Sequence, residues 1–331
     1  MRQILRAMLR ATPLALAVAF APAAAQEGQA PSGLSQWQPA VLPMAKSASF
    51  ASKATGHTYR IQVGKIGPEP EGGYPVVYVL DGDAMFPAAL LHAAALSMQP
   101  QDNAPASVLI VGVGYSDKSL LDMNARAADY TPPSDDYSDT GDAYAKRFGE
   151  ADRFLAFLND ELKPAIARDY PVDRKNQILL GHSYGALFGL YALFSQPEGF
   201  SSYIISSPSI WWNKSRILAY FEKFKDAQKH IHVPLRVRIT SGSLEQTPSA
   251  TARSDDKRVR MLNSRRMVSN ACAMAASLDA LANPDIHIDY MNYPHETHGT
   301  VIMRAIADGI SYALSGQALS REETSMDEGC P

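Results

Sequence analysis

The pentapeptide Gly181-His182-Ser183-Tyr184-Gly185 sets a serine between two glycines, after the β-forming Ile178, Leu179 and Leu180 and before the helix formers of ALFGLYALF. A buried strand reversing sharply into a helix leaves such a serine at the apex of a strained turn, its hydroxyl projecting into a cleft. Small neighbours are expected there, because a Cβ on either side would collide. An alcohol is a poor nucleophile at neutral pH. To attack a carbonyl it needs an imidazole within hydrogen-bond reach, a carboxylate behind that imidazole, and N–H donors for the oxygen that becomes negative. Glu245 ends the strand-like PLRVRITSGSLE, and His298 lies in HETHGTV after DIHIDYMNYP, so the order Ser183, Glu245, His298 suits such a triad. Asp255 and Asp256 stand in the next loop as substitutes for Glu245, and His295 shares the loop of His298, which is preferred because it abuts a helix start. His182 is expected to point into the fold. The N–H of Tyr184 and one from LDGDA, at Gly82 or Asp83, are the expected oxyanion donors.

Metal chemistry fits the histidines less well. HETH spaces its histidines three apart, not the four of the helical zinc motif, and His230 and His232 have no obvious third ligand. No metal and no cofactor is expected.

The elements that must hold these groups alternate along the chain. TYRIQVGKI (58–66) alternates apolar and polar residues as a half-buried strand does, whereas YPVVYVLDG (74–82) and SVLIVGVGY (107–115) are continuous apolar runs, as in strands covered on both faces. A helix is predicted over 84–98 and a long loop over 116–141. Phe148, Phe154, Leu155, Leu158 and Leu162 at helical spacing predict an amphipathic helix in AYAKRFGEADRFLAFLNDELKPAIARDY. The serine strand and its helix, SYIISSPS, PLRVRITSGSLE, a long helix over 257–282, DIHIDYMNY and a helix over 299–314 follow. This alternation predicts an α/β fold, a mostly parallel central sheet with helices on both faces, in one domain over 46–315. Ligands then bind beyond the carboxyl ends of the strands, where Ser183 falls.

The chain has 331 residues, 46% hydrophobic and 20% charged, which excludes intrinsic disorder and collagen-like structure. Residues 1–25 place Arg2, Arg6 and Arg10 before an apolar run and the small Ala23-Ala24-Ala25, the layout of a secretory signal cleaved after Ala25. Gln26 offers no thiol for a lipid anchor, so a periplasmic or secreted product is expected. Residues 26–45 are an extended lead-in, and 316–331 a polar tail. No later segment is long and apolar enough to span a membrane. Removing three arginines takes the net charge from −3 to −6, a sign unsuited to coating nucleic acid. Cys272 and Cys330 are free to pair or not in an oxidising compartment, and the oligomeric state stays open.

These motifs together resemble the α/β-hydrolase esterases that open siderophore esters, such as the enterobactin and salmochelin esterases. The likeness covers about residues 45–315. It rests on YPVVYVLDG, on GVGY followed by Arg126 and DYTP, on GHSYGALFGLYALF, on SPSIWW, on GSLE, and on Glu296-Thr297-His298. The resemblance implies Ser183 as nucleophile and His298 as base, and places Arg126 at the mouth of the site. Some similar enzymes work with a Ser–His pair and a displaced or missing acid. Ala186 departs from the pattern, standing where many relatives have a second glycine. A ferric tris-catecholate is bulky, aromatic and anionic, so Trp211, Trp212 and Tyr184 are candidate faces for it, and Arg126 with KRVR (257–260) candidate cations. The tryptophans also read as core or rim packing, and the basic run reads better as a solvated helix face. The expected substrate is a small-molecule ester, siderophore-type or otherwise bulky and aromatic. Feruloyl or acetyl sugar esters are the alternative, as is acyl transfer to an acceptor alcohol.

Overall fold

A computed structural model describes residues 41–98, 107–115, 119–248, 253, 256–315 and 330. The leader, most of the lead-in, Asp255 and most of the tail lie outside the described residues. Residues Leu42–Pro331 cluster as one compact unit.

Eight strands form one sheet in the order β1-β2-β4-β3-β5-β6-β7-β8. They are β1 (Ala45–Ala51), β2 (Thr58–Ile66), β3 (Tyr74–Leu80), β4 (Val108–Tyr115), β5 (Val172–His182), β6 (Ser202–Ser206), β7 (Leu235–Gly242) and β8 (Ile286–Tyr293). Six of them, β3 to β8, run parallel; β2 pairs antiparallel with β4, and β1 antiparallel with β2. The helices are α1 (Gly82–Met98), α2 (Met123–Tyr130), α3 (Ala151–Ala156), α4 (Lys163–Asp169), α5 (Tyr184–Ser195), the short distorted α6 (Trp212–Ser215), α7 (Ile217–Ala227), α8 (Lys257–Arg265), α9 (Met267–Asp279) and α10 (Val301–Ser315). Side chains alternate across a strand, so Val76, Tyr78 and Leu80 of β3 enter the core beneath α3, α5, α7 and α9, while Val77 and Val79 enter the core beneath α1 and α10. Both faces are dry, and this is why YPVVYVL is apolar throughout.

One element was not anticipated and three local expectations are corrected. Residues 45–51 form an edge strand. Their polar AKSASFA is exposed or half-buried, so it carries no apolar pattern. The 116–141 loop contains α2, started by Asp122, whose carboxylate caps the N–H groups of Asn124 and Ala125. Phe148 lies outside the helix that follows, which begins at Ala151 after Gly149 at φ 87° and passes through a π turn, Phe157–Leu162, before α4. The helix predicted over 257–282 is two helices, because Arg266 adopts the left-handed conformation at φ 46°, ψ 46°.

Cys272 of α9 is joined to Cys330, Cα to Cα 5.5 Å, across a separation of 58 residues. Closing a loop of that length in the unfolded chain is worth up to about 4 kcal/mol. Cys330→Ser, which leaves the buried Cys272 in place, is expected to lower unfolding stability by that order, read as a shift in the urea midpoint that mild reductant reproduces in the native chain.

Candidate active site

The carboxyl end of β5 decides the geometry. Ser183 sits between β5 and α5 at φ 60°, ψ −115°, a conformation that costs a non-glycine residue roughly 1–3 kcal/mol. It is held there by its N–H donating to the Ser206 carbonyl at 2.9 Å, and by its carbonyl accepting from Leu187 at 3.0 Å and Ser209 at 3.2 Å. Space demands glycine on one side only. A Cβ at Gly181 would lie 2.2 Å from the Gly185 carbonyl oxygen, whereas one at Gly185 would make an ordinary 3.5 Å contact with Leu80. The expectation of a collision on both sides is corrected accordingly.

His298, in the loop between β8 and α10, places Nε2 3.0 Å from Ser183 Oγ. Its Nδ1 meets Glu245 Oε1 in a short contact. Glu245 is 2% exposed, in the turn after β7. Its other oxygen accepts from Ser207 Oγ at 2.7 Å and from the Gly242 N–H at 2.7 Å, so the buried carboxylate is fully partnered and aimed at the imidazole. The hydroxyl, the imidazole and the carboxylate thus form one unbroken chain, able to take a proton from Oγ and stabilise the cation that results. His295 takes φ 62° and its N–H bonds Ser243 Oγ, whereas Asp256 caps α8.

His182 is buried, its Nδ1 3.1 Å from Ser206 Oγ, and its ring lies 4.6 Å from that of His298. Burial first, then the neighbouring His298 and Arg126, hold it well below the ordinary histidine value. It therefore backs the His298 ring as a neutral group and adds no repulsion to an imidazolium there.

Two cavities open at Ser183. The larger, about 460 Å³, is walled by Met85, Met123, Tyr184, Trp211, Ile302 and Met303 among others; the smaller is about 200 Å³. Tyr184 opens α5, so its N–H precedes the first intrahelical bond and is a free donor beside Ser183. Its phenol donates to Asp142 at 2.6 Å, tying the 131–150 loop to the site. Gly82 and Asp83, expected to offer a second oxyanion donor, stand at the start of α1. Neither lines a cavity at Ser183, where the wall is Ala84 and Met85. Gly82 instead packs on the β4 backbone, and the Asp83 carboxylate is drawn to the Tyr115 N–H at 2.8 Å and to Arg60 at 3.0 Å.

Arg126 lines the larger cavity but is not a free cation. It forks onto Asp81, Nε to Oδ1 at 2.9 Å and Nη2 to Oδ2 at 2.8 Å, and it is 5% exposed, inside the wall and not at its mouth. Burial works against its charge, and Asp81 outweighs burial, raising the guanidinium above its ordinary value. Arg126→Ala would strand a buried carboxylate, so a loss of about 3–5 kcal/mol in unfolding free energy is expected, measured by urea titration. The two tryptophans part company. Trp211 lines both cavities, while Trp212, 0% exposed, packs against Phe148 and Tyr137. Neighbouring residues in a helical turn face different ways, and the expected ligand contact at Trp212 is corrected to core packing. Asp81, Asp142, Ser207 and Ser209 were missed by sequence reasoning. Asp81 stood within the YPVVYVLDG string and Ser207 and Ser209 within SPSIWW, whereas Asp142 had no signal.

With this geometry in view, comparison with known proteins is decisive. The Esterase family model matches residues 52–273, well over half the chain. The chain belongs to this esterase family. Among curated proteins it is 30% identical to the ferri-bacillibactin esterase BesA of Bacillus subtilis over 82% of this chain and 90% of that one. It is 32% identical to the siderophore triacetylfusarinine C esterase of Aspergillus fumigatus over 83% and 95%. Among solved structures, the siderophore hydrolase EstA from Aspergillus nidulans superposes with a TM-score of 0.73 at 29% identity, over 86% of this chain and all of that one. The BES protein from Bacillus cereus gives 0.74 at 28%, over 85% and 99%. The fold of this esterase is the α/β-hydrolase fold, and the chain is a serine carboxylic-ester hydrolase resembling the siderophore esterases. No helix among its described residues is long and apolar enough to cross a membrane.

Proposed function

We propose that this esterase is exported and hydrolyses siderophore-type or other bulky aromatic esters through an acyl-enzyme. The contact chain Ser183–His298–Glu245 carries the reading. His298 Nε2 takes the proton from Ser183 Oγ as Oγ bonds the ester carbonyl carbon. The carbonyl electrons move to oxygen, which faces the Tyr184 N–H; removal of one such donor typically costs about 3 kcal/mol of transition-state stabilisation. On collapse the bond to the alcohol oxygen breaks, and that oxygen takes the proton held by His298. Water, deprotonated by the same imidazole, then attacks the acyl-serine; the acyl–Oγ bond breaks, Oγ takes the proton back from His298, and the acid leaves. Glu245 fixes the tautomer of the neutral imidazole and stabilises the imidazolium.

Support for the substrate class comes from the relatives named as siderophore esterases and from the size and apolar wall of the larger cavity, in which Trp211 and Tyr184 offer ring faces. Export is supported by the layout of residues 1–25 and by the Cys272–Cys330 bridge, a bond that persists in oxidising compartments. A panel of siderophore esters beside feruloylated and acetylated sugars, scored by kcat/KM, tests the reading. The siderophore esters are expected to lead by at least about tenfold. A lead by the sugar esters overturns the substrate assignment, and preferential capture of the acyl group by added alcohols overturns hydrolysis.

A further inference from the structure

The larger cavity draws its wall from both faces of the sheet. From the face covered by α5 come the rings of Tyr184 and Trp211. From the other face, α1 contributes Ala84, Met85 and Ala88, and α10 contributes Ile302, Met303 and Ile306. Every side chain that these two helices bring to the cavity is aliphatic or a thioether, and none carries a charge or a hydrogen-bond donor. Ala84 and Ala88 stand one turn apart on α1, and Ile302 and Ile306 one turn apart on α10, so each pair forms a row along its own helix. The alanines reach no further than Cβ, and the space that longer side chains would fill between the helices is left as a trough. Met85 and Ile306, 7% and 1% exposed, lie deepest, whereas Ala84, Ala88 and Ile302 are half-buried on the same core. The trough starts at the reacting atoms, because His298 and Gly299 lead directly into α10 and line the same cavity as Ser183.

Shape and chemistry select the occupant. A wall without donors offers nothing to a polar ligand, and a ring finds its stacking partners at Tyr184 and Trp211, on the other face of the sheet. A row one helical turn long, about 6 Å, matches about five methylenes of an extended chain. We infer that the trough between α1 and α10 is a subsite for a straight aliphatic chain, and that this esterase also hydrolyses aliphatic esters with chains of about six to ten carbons. The steps are those of the acyl-enzyme route, with water as co-reactant. The chain enters the trough from either side of the ester, acyl or alcohol, since the cavity is continuous with Ser183. The inference rests on the serine-esterase reading above and adds an activity to it.

The test uses two pairs of esters, all below their aggregation limits. p-Nitrophenyl butanoate and octanoate share a leaving group and carry the chain on the acyl side; butyl and octyl acetate carry it on the alcohol side. Burying one methylene is worth up to about fourfold in binding, and about twofold where one side of the chain stays open to water. The longer ester is therefore expected to lead by about tenfold in kcat/KM in at least one pair, mainly through KM. Ala88→Phe, which fills the trough, and Ile302→Gln, which sets an amide in its wall, are each expected to bring that ratio down to about one or two. The ratio is read within each variant, so a general loss of activity does not imitate the effect, and the second variant decides where the first does not fold. A native lead below about threefold in both pairs overturns the inference, as does a lead that the folded variants leave intact. If no ester turns over, the serine-esterase reading fails. The trough is then decided by calorimetry on Ser183→Ala, where octan-1-ol is expected to bind about tenfold more tightly than butan-1-ol, and equal binding overturns it.

Discussion

Ser183→Ala is expected to lower kcat by about a million-fold, leaving at most the thousand-fold or so over water that binding and oxyanion donors provide. The reasoning is geometric. Oγ is the atom 3.0 Å from His298 Nε2, and no other hydroxyl among the described residues is bonded to that nitrogen; Ser209 Oγ lies 3.4 Å from Ser183 Oγ itself. Alanine keeps its Cβ and the same backbone contacts to Ser206, Leu187 and Ser209, so the positive φ and its strain persist. Thermal unfolding of the variant is therefore expected within about a degree or two of the native protein, which separates lost chemistry from lost structure. Hydrolysis of an activated p-nitrophenyl ester at native rates by purified Ser183→Ala would remove Ser183 from the mechanism.

Glu245→Gln should come second, at about ten thousand-fold in kcat with KM little changed. The amide is nearly isosteric and its oxygen can still accept from Ser207 or Gly242. What it cannot do is accept from His298 Nδ1–H with its NH₂ while also stabilising the imidazolium, so the ring loses the tautomer that exposes a basic Nε2 to Ser183. The magnitude discriminates between a carboxylate that works and one that stands by. A loss below about tenfold would show that the imidazole is held by its ring contact with His182 and by its loop, with Glu245 a spectator.

The order of strands and helices, the parallel sheet and the three residues proposed as a triad were legible in the sequence because each has a local cause. Continuous apolar runs mark strands buried on both faces, and a serine between such a run and a helix former marks the turn. The misreadings share a different cause. Trp211 and Trp212 are adjacent and chemically identical, and only the turn after β6 sends one into the cavity and the other into the core. Arg126 is a cation in any list of residues. Asp81, 45 positions earlier, occupies its charge because β3 and α2 meet at the same sheet end. Arg266 breaks a helix that propensity would have continued, because Met267 and Val268 must return to the core under α9 while α8 passes over the smaller cavity.

By itself, the sequence determined the hydrophobic layering, the strained turn and the supply of a hydroxyl, an imidazole and a carboxylate, since periodicity and residue type act over a few positions of chain. Only the tertiary structure decided that Glu245, not Asp256, reaches Nδ1, that Gly82 and Asp83 stand back from the cavity, and that two arginines border the smaller chamber. Each of these depends on distances of a few ångströms between segments tens of residues apart, and such distances are fixed by the packing of the whole sheet.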